Sequence, residues 1–237
     1  MIRRLSILAL LALFAAEPVL AECRWNNDGG PVLSDRGIGG TGAPTQVADR
    51  GIGGTGIVGI VTGFGSVCVN GKTVQYDNRT EVSLGGTRMP SDGLRVGQVV
   101  AISASGPGDA LRADRMEVRL EVSGPVTSVS DGGTVVVAGQ HVRVPKSALG
   151  NATVQPGAWV SVSGMRDPGG EIVATRIDSR SPGPVAVRGP MIADGKNAWV
   201  GDLPIESRGG FDNQGGTYVF VSGTLNDGAL VADAVAP

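Results

Sequence analysis

From residue 57 to the C-terminus, apolar and polar side chains alternate in short runs, each cut off by glycine, asparagine or aspartate. Alternation with a period of two predicts strands with one face buried. Val67 and Val69 alternate with Ser66 and Cys68, and Val74 and Tyr76 with Thr73 and Gln75. A third strand is predicted over Val96, Val99, Val100 and Ile102, and a fourth over Leu111, Ala113, Met116 and Val118. In that fourth strand the inward step widens from two to three between Ala113 and Met116, and it does so again between Ala174 and Ile177. Such a slip predicts a β-bulge that carries the strand round a barrel corner. Asn70-Gly71, Asp131-Gly132-Gly133, Asp194-Gly195 and Asn226-Asp227-Gly228 have hairpin-turn chemistry, with glycine supplying positive φ. One short helix is predicted after Pro145, over Lys146-Ser147-Ala148-Leu149.

The pattern recurs three times with a period of about 60 residues. Each copy opens on Gly-x-hydrophobic: Gly59-Ile60-Val61, Gly124-Pro125-Val126 and Gly189-Pro190-Met191. Each has a later glycine ahead of a strand, at Gly97, Gly157 and Gly215-Gly216, and closes on Leu111-Arg112-Ala113, Ile172-Val173-Ala174 or Leu230-Val231-Ala232. That period is too long for a solenoid rung and fits a small barrel. The expected fold is all-β: three tandem OB-like Greek-key β-barrels over 57–119, 120–181 and 182–237. They follow a signal peptide (1–21) and a Gly-rich flexible tail (22–56). The repeat resembles a family of exported bacterial proteins built from tandem OB-like domains of unknown function, numbered 5666. The resemblance runs from 57 to 237, is loosest in the third copy, and implies a fold without implying any catalytic residue.

Arg3 and Arg4 ahead of the apolar run Leu5–Ala16, with Val19-Leu20-Ala21 before Glu22, read as a leader cleaved after Ala21. Twelve apolar residues fall short of the roughly 20 that cross a bilayer. No other stretch is long enough either, so no membrane span is expected, and the mature protein is placed in the periplasm or outside the cell. A net charge of −2, with no segment rich in Lys and Arg, argues against nucleic acid as a partner. Cys23 and Cys68 are the two cysteines. In an oxidising compartment they are candidates for one disulfide tying the tail to the first barrel. The alternative is an unpaired terminal Cys23 and a Cys68 that is a small strand residue.

Chemistry is sparse. The octamer Asp35–Gly42 recurs as Asp49–Gly56, and both copies contain G-x-G-x-x-G. The dinucleotide fingerprint needs a helix after the turn, and here Ile57-Val58-Gly59-Ile60-Val61 continues as a strand. No cofactor is expected. His141 is the only histidine and is predicted to face solvent. Neither it nor the distant cysteines make a metal site. Lys146-Ser147 sits at a predicted helix start, where capping is the simpler role, and no catalytic residue is assigned. Trp159 and Tyr218 align with Val99 and are expected to pack in the core at a barrel end. Trp199, between inward Ala198 and Val200, is predicted on the outer face of its strand. There two roles fit equally: stacking a ligand, or burial against the neighbouring barrel.

Three function classes remain. The first is a non-enzymatic envelope protein that binds a partner protein or self-assembles. The second is a periplasmic binder of glycans or small ligands using the face around Trp199, and the third an enzyme. The first is the expectation.

Overall fold

The structure is a computed structural model that describes residues 23, 55–107, 110–194, 197–207, 211 and 215–236. The predicted signal peptide, the first octamer and most of the second lie outside the described residues. Thr55 and Gly56, which end the second octamer, already belong to a strand, so the first barrel starts two residues earlier than alternation alone placed it.

The first barrel is built from β1 (Thr55–Gly63), β2 (Val67–Val69), β3 (Lys72–Gln75), β4 (Glu81–Leu84), β5 (Thr87–Met89), β6 (Val99–Ser105) and β7 (Leu111–Arg119). β8 (Val122–Val129), β9 (Thr134–Val137), β10 (Gln140–Arg143), β11 (Trp159–Arg166) and β12 (Ile172–Ser179) form the second. β13 (Val185–Asp194), β14 (Asn197–Val200), β15 (Leu203–Glu206), β16 (Tyr218–Asn226) and β17 (Ala229–Ala236) form the third. In each barrel the first three strands run antiparallel in sequence, and the third pairs parallel with the last. Counting barrel 1 without its inserted β4–β5 hairpin, the last then pairs antiparallel with the fourth strand (β6, β11 or β16), and the fourth returns to the first, closing the sheet. This is the five-strand order of an OB-type barrel.

The repeated residues have repeated jobs. Each closing strand bulges by one residue, at Asp114, Thr175 and Asp233, where the register against the fourth strand slips. That slip keeps Leu111, Ala113, Met116 and Val118 all buried. The opening glycine is required because the end of strand two lies against it. A Cβ on Gly59 would collide with Asn70, one on Gly124 with Ala138 and one on Gly189 with Val200. Asn70, Ala138 and Gly201 all take positive φ at that turn. Val96, predicted within a strand, instead lies exposed just before Gly97, whose positive φ turns the chain into β6. The short helix appears as a 3-10 turn over Lys146–Ala148, after Pro145.

The barrels are not equally independent. Barrel 1 encloses its own apolar core, whereas a single buried cluster runs through barrels 2 and 3. Between those two, β8 also pairs with β13, so their strands form one ten-stranded sheet.

Candidate functional site

The outer surface of strands two and three is where OB barrels present ligand-binding groups, and the three copies allow it to be compared position by position. In barrel 1 the register aligns Gly63, Cys68 and Thr73 across the first three strands. In barrel 2 it aligns Ser128, Val136 and His141, and in barrel 3 Ile192, Trp199 and Pro204.

Each row is covered differently. Cys68 is joined by a disulfide to Cys23, across 45 residues of chain, and the Thr73 hydroxyl donates to Cys23 Sγ at 3.0 Å. Cys23 is thereby pinned on the barrel 1 face. His141 is exposed, as expected, but it is not isolated: its Nε2 lies 2.9 Å from Asp202 Oδ2, in the β14–β15 turn of barrel 3. The Asp202 N–H also donates to Gly139 O at 3.1 Å, so that turn sits on barrel 2. Barrel 3 carries the most apolar row. Ile192 is 63% exposed, and Trp199 and Pro204 are half-buried, with Trp199 outside the core cluster. Alternation therefore places Trp199 on the outer surface, between Ala198 and Val200, both buried.

The two aligned aromatics part company. Trp159 packs against the core of barrels 2 and 3, with the Arg180 guanidinium 5.7 Å from its ring centroid. Tyr218 does not enter the core. It is 48% exposed, and its hydroxyl donates to Glu121 Oε2 at 3.1 Å. Its cross-strand partner is Pro190, and its hydroxyl end is enclosed beside Glu121. That enclosure, reinforced by the Glu121 charge, pushes the phenol pKa up to about 12.

Glu121 belongs to a polar cluster at the meeting point of the barrels. It is 7% exposed and lies 3.4 Å from Arg166 Nε. Arg166 also donates to Arg188 O and to Gln140 Oε1, at 3.0 Å from Nε and 2.8 Å from Nη2 respectively. Gln140 in turn donates to Val200 O at 2.5 Å, and Arg188 Nη2 reaches Glu117 Oε1 at 3.2 Å. Burial raises the Glu121 carboxyl above its ordinary value, and the neighbouring arginines only partly offset this. Sequence reading did not find this cluster. Its sole trace is a charged residue, Glu121, set between Leu120 and Val122 at the entry to the second copy.

Lys146 and Ser147 are both exposed on the 3-10 turn, with no side-chain cap bond from Pro145. Among the described residues no three His, Cys, Asp or Glu side chains come close enough to hold a metal ion.

A family model described as "Domain of unknown function (DUF5666)" matches residues 55–117 and 123–178, which are the first two barrels. The third copy shares their strand order although the match does not extend to it. No curated protein matches the chain.

Proposed function

The chain belongs to the DUF5666 family of domains of unknown function, and we propose that it is an exported, non-enzymatic cell-envelope protein. On this reading its third barrel binds another polypeptide, a partner protein or a further copy of itself, through the row Ile192, Trp199 and Pro204. The observation that carries the reading is the equivalence of the three rows. In barrel 1 this position is a polypeptide contact, through Cys23, and in barrel 2 it is another, through Asp202. Barrel 3 offers the same surface with larger apolar groups, and exposed apolar side chains of this kind gain most from being covered. The disulfide supports export, since such bonds persist in oxidising compartments such as the periplasm or the extracellular space. A second reading, a glycan stacked on Trp199, draws on the same outward aromatic.

Sedimentation of the mature chain separates these readings. Self-assembly gives a mass above the monomer that Ile192→Glu returns to the monomer. For a different partner, a photo-crosslinking side chain at position 192 gives one discrete adduct in the envelope, and the same group at exposed Asp131 does not. Quenching of tryptophan fluorescence by oligosaccharides, lost in Trp199→Ala, would replace the proposal with the glycan reading. A monomer with no adduct and no quenching removes both.

A further inference from the structure

A separate feature lies where all three barrels meet. The crossover between β3 and β6 of barrel 1 contains the hairpin β4–β5, whose two-residue tip, Gly85-Gly86, takes positive φ at both positions. Barrel 2 has only a 3-10 turn at the corresponding place. The hairpin reaches across to barrel 3, so that a Cβ on Gly85 would lie 3.6 Å from Phe220 Cζ. Beneath it is the seam where Ser123 of β8 pairs with Ala186 of β13. Between hairpin and seam is a cleft of about 470 Å³, within the range of small-molecule sites.

Its wall has two parts. Leu84, Met89 and Phe220 supply an apolar side, and Ser123, Ser161 and Ser222 a strip of hydroxyls. Two cations, Arg88 and Arg180, face the same space, and no Asp or Glu lines it. Arg180 is held in place along this wall. Its Nη1 donates to Ser123 Oγ and, at 3.1 Å, to Pro184 O, while Nε donates to Ser181 O at 3.1 Å. Ser123 Oγ is itself 3.1 Å from Ser161 Oγ. Every one of these partners is neutral. Among the described residues no carboxylate lies within ion-pair distance of Arg88 or Arg180, in contrast to Arg143, Arg166, Arg176 and Arg188, each of which has at least one. Burial lowers the pKa of Arg180 with nothing acidic to offset it. A half-buried, oriented guanidinium without a counter-charge, beside an apolar wall, is a receptor for an oxyanion that carries a hydrophobic body.

We propose that this cleft binds a small amphipathic carboxylate, its anionic end against Arg88 and Arg180 and its apolar chain or ring along Leu84, Met89 and Phe220. The site is independent of the row around Trp199. It also gives a role to the β4–β5 hairpin, in whose place barrel 2 has a 3-10 turn.

Calorimetry on the mature, disulfide-bonded chain tests this with octanoate and 2-naphthoate as anionic probes. 1-Octanol and 2-naphthalenemethanol are the neutral matches, and acetate is the anion without a body. At least one anionic probe is expected to bind at one site per chain, with its neutral match about tenfold weaker or worse, and acetate not at all. Arg88 is exposed, so Arg88→Gln leaves the fold intact and weakens the anion by about tenfold, the equivalent of one charge-assisted contact. Arg180→Gln, checked for folding by circular dichroism, weakens it at least as much. The proposal fails if neither anion binds, if the neutral matches bind equally well, if acetate binds as tightly as the longer anions, or if both arginine variants keep full affinity.

Discussion

Barrel 1 and the pair formed by barrels 2 and 3 have the same strand order and the same repeated glycines, yet they are joined to their neighbours by different physics. Barrels 2 and 3 share main-chain pairing through β8 and β13 and a continuous apolar core. Barrel 1 meets barrel 2 through polar contacts. Thr175 Oγ1 donates to Gly97 O at 2.6 Å, Arg176 Nη1 to Val96 O at 3.1 Å and Ser163 Oγ to Arg119 O at 3.3 Å. Hydrogen bonds of this kind contribute about 1 kcal/mol each, because water competes for the same groups in the separated state. A shared core is lost all at once. The pair should therefore unfold as one cooperative unit and barrel 1 as another. Trp159 and Trp199 both report on the pair, and the third tryptophan, Trp25, precedes the barrels in sequence; in a Trp25→Phe background fluorescence therefore follows the pair alone while circular dichroism follows the whole chain.

The most damaging single change expected is Arg166→Ala. It strips the buried Glu121 of its nearest cation and leaves Gln140 Oε1 and Arg188 O without their donor. Breaking a buried pair from one side costs about 3–5 kcal/mol. In urea the fluorescence midpoint should fall by that equivalent. If it does not move, the polar cluster does not hold the pair together.

Next in size is Cys23→Ser, which acts on the other unit. The Cys23–Cys68 bond closes 45 residues of chain, worth about 4 kcal/mol by loop entropy, with measured effects of about 2–4 kcal/mol. The loss should fall on the first barrel alone. The circular dichroism transition splits or shifts while the tryptophan midpoint stays in place. Equal shifts in both signals would mean that the three barrels unfold together, and the contrast drawn above would go.

Much of the fold was legible because period two and glycine punctuation are local. The Met116 and Ile177 phase slips marked the bulges, and the position of Trp199 between Ala198 and Val200 gave its outward face. What stayed hidden depends on contacts between copies. The β4–β5 hairpin has a Gly85-Gly86 turn, but its strands of 4 and 3 residues are too short for alternation to mark them. Tyr218 was aligned with Val99 and Trp159 and so read as core, and nothing local indicates that Glu121, 97 residues away, would capture its hydroxyl. Arg166 and Arg188 carry no spacing that distinguishes them from surface arginines.

A smaller effect separates the cost of burying Glu121 from the benefit of its ion pair. Its folded pKa is raised, so the folded chain keeps a proton that the unfolded chain has already released. Stability attributable to Glu121 is then unpenalised below the ordinary carboxylate pKa and falls as pH rises towards the folded value. Glu121→Gln, which can still accept from Tyr218, should cost no more than about 1 kcal/mol at pH 7. Relative to wild type, the variant should gain on going from pH 4 to pH 7. A loss of several kcal/mol at pH 7 would show that the charge itself, rather than the shape and hydrogen bonding of the side chain, is needed at the junction.

The smallest effect expected is at Asp202→Asn. The His141–Asp202 pair lies on the same barrel 2–barrel 3 boundary as the shared core, but its side chains are 55% and 73% exposed. Water screens such a pair, and exposed pairs contribute about 0.2–1 kcal/mol. Asparagine keeps the Asp202 backbone donation to Gly139 and retains an oxygen towards Nε2, so the fluorescence midpoint should move by less than about 1 kcal/mol equivalent. Should it move as far as in Arg166→Ala, the seam between barrels 2 and 3 would depend on exposed charge as much as on its apolar interior. The two kinds of junction in this molecule would then be one kind.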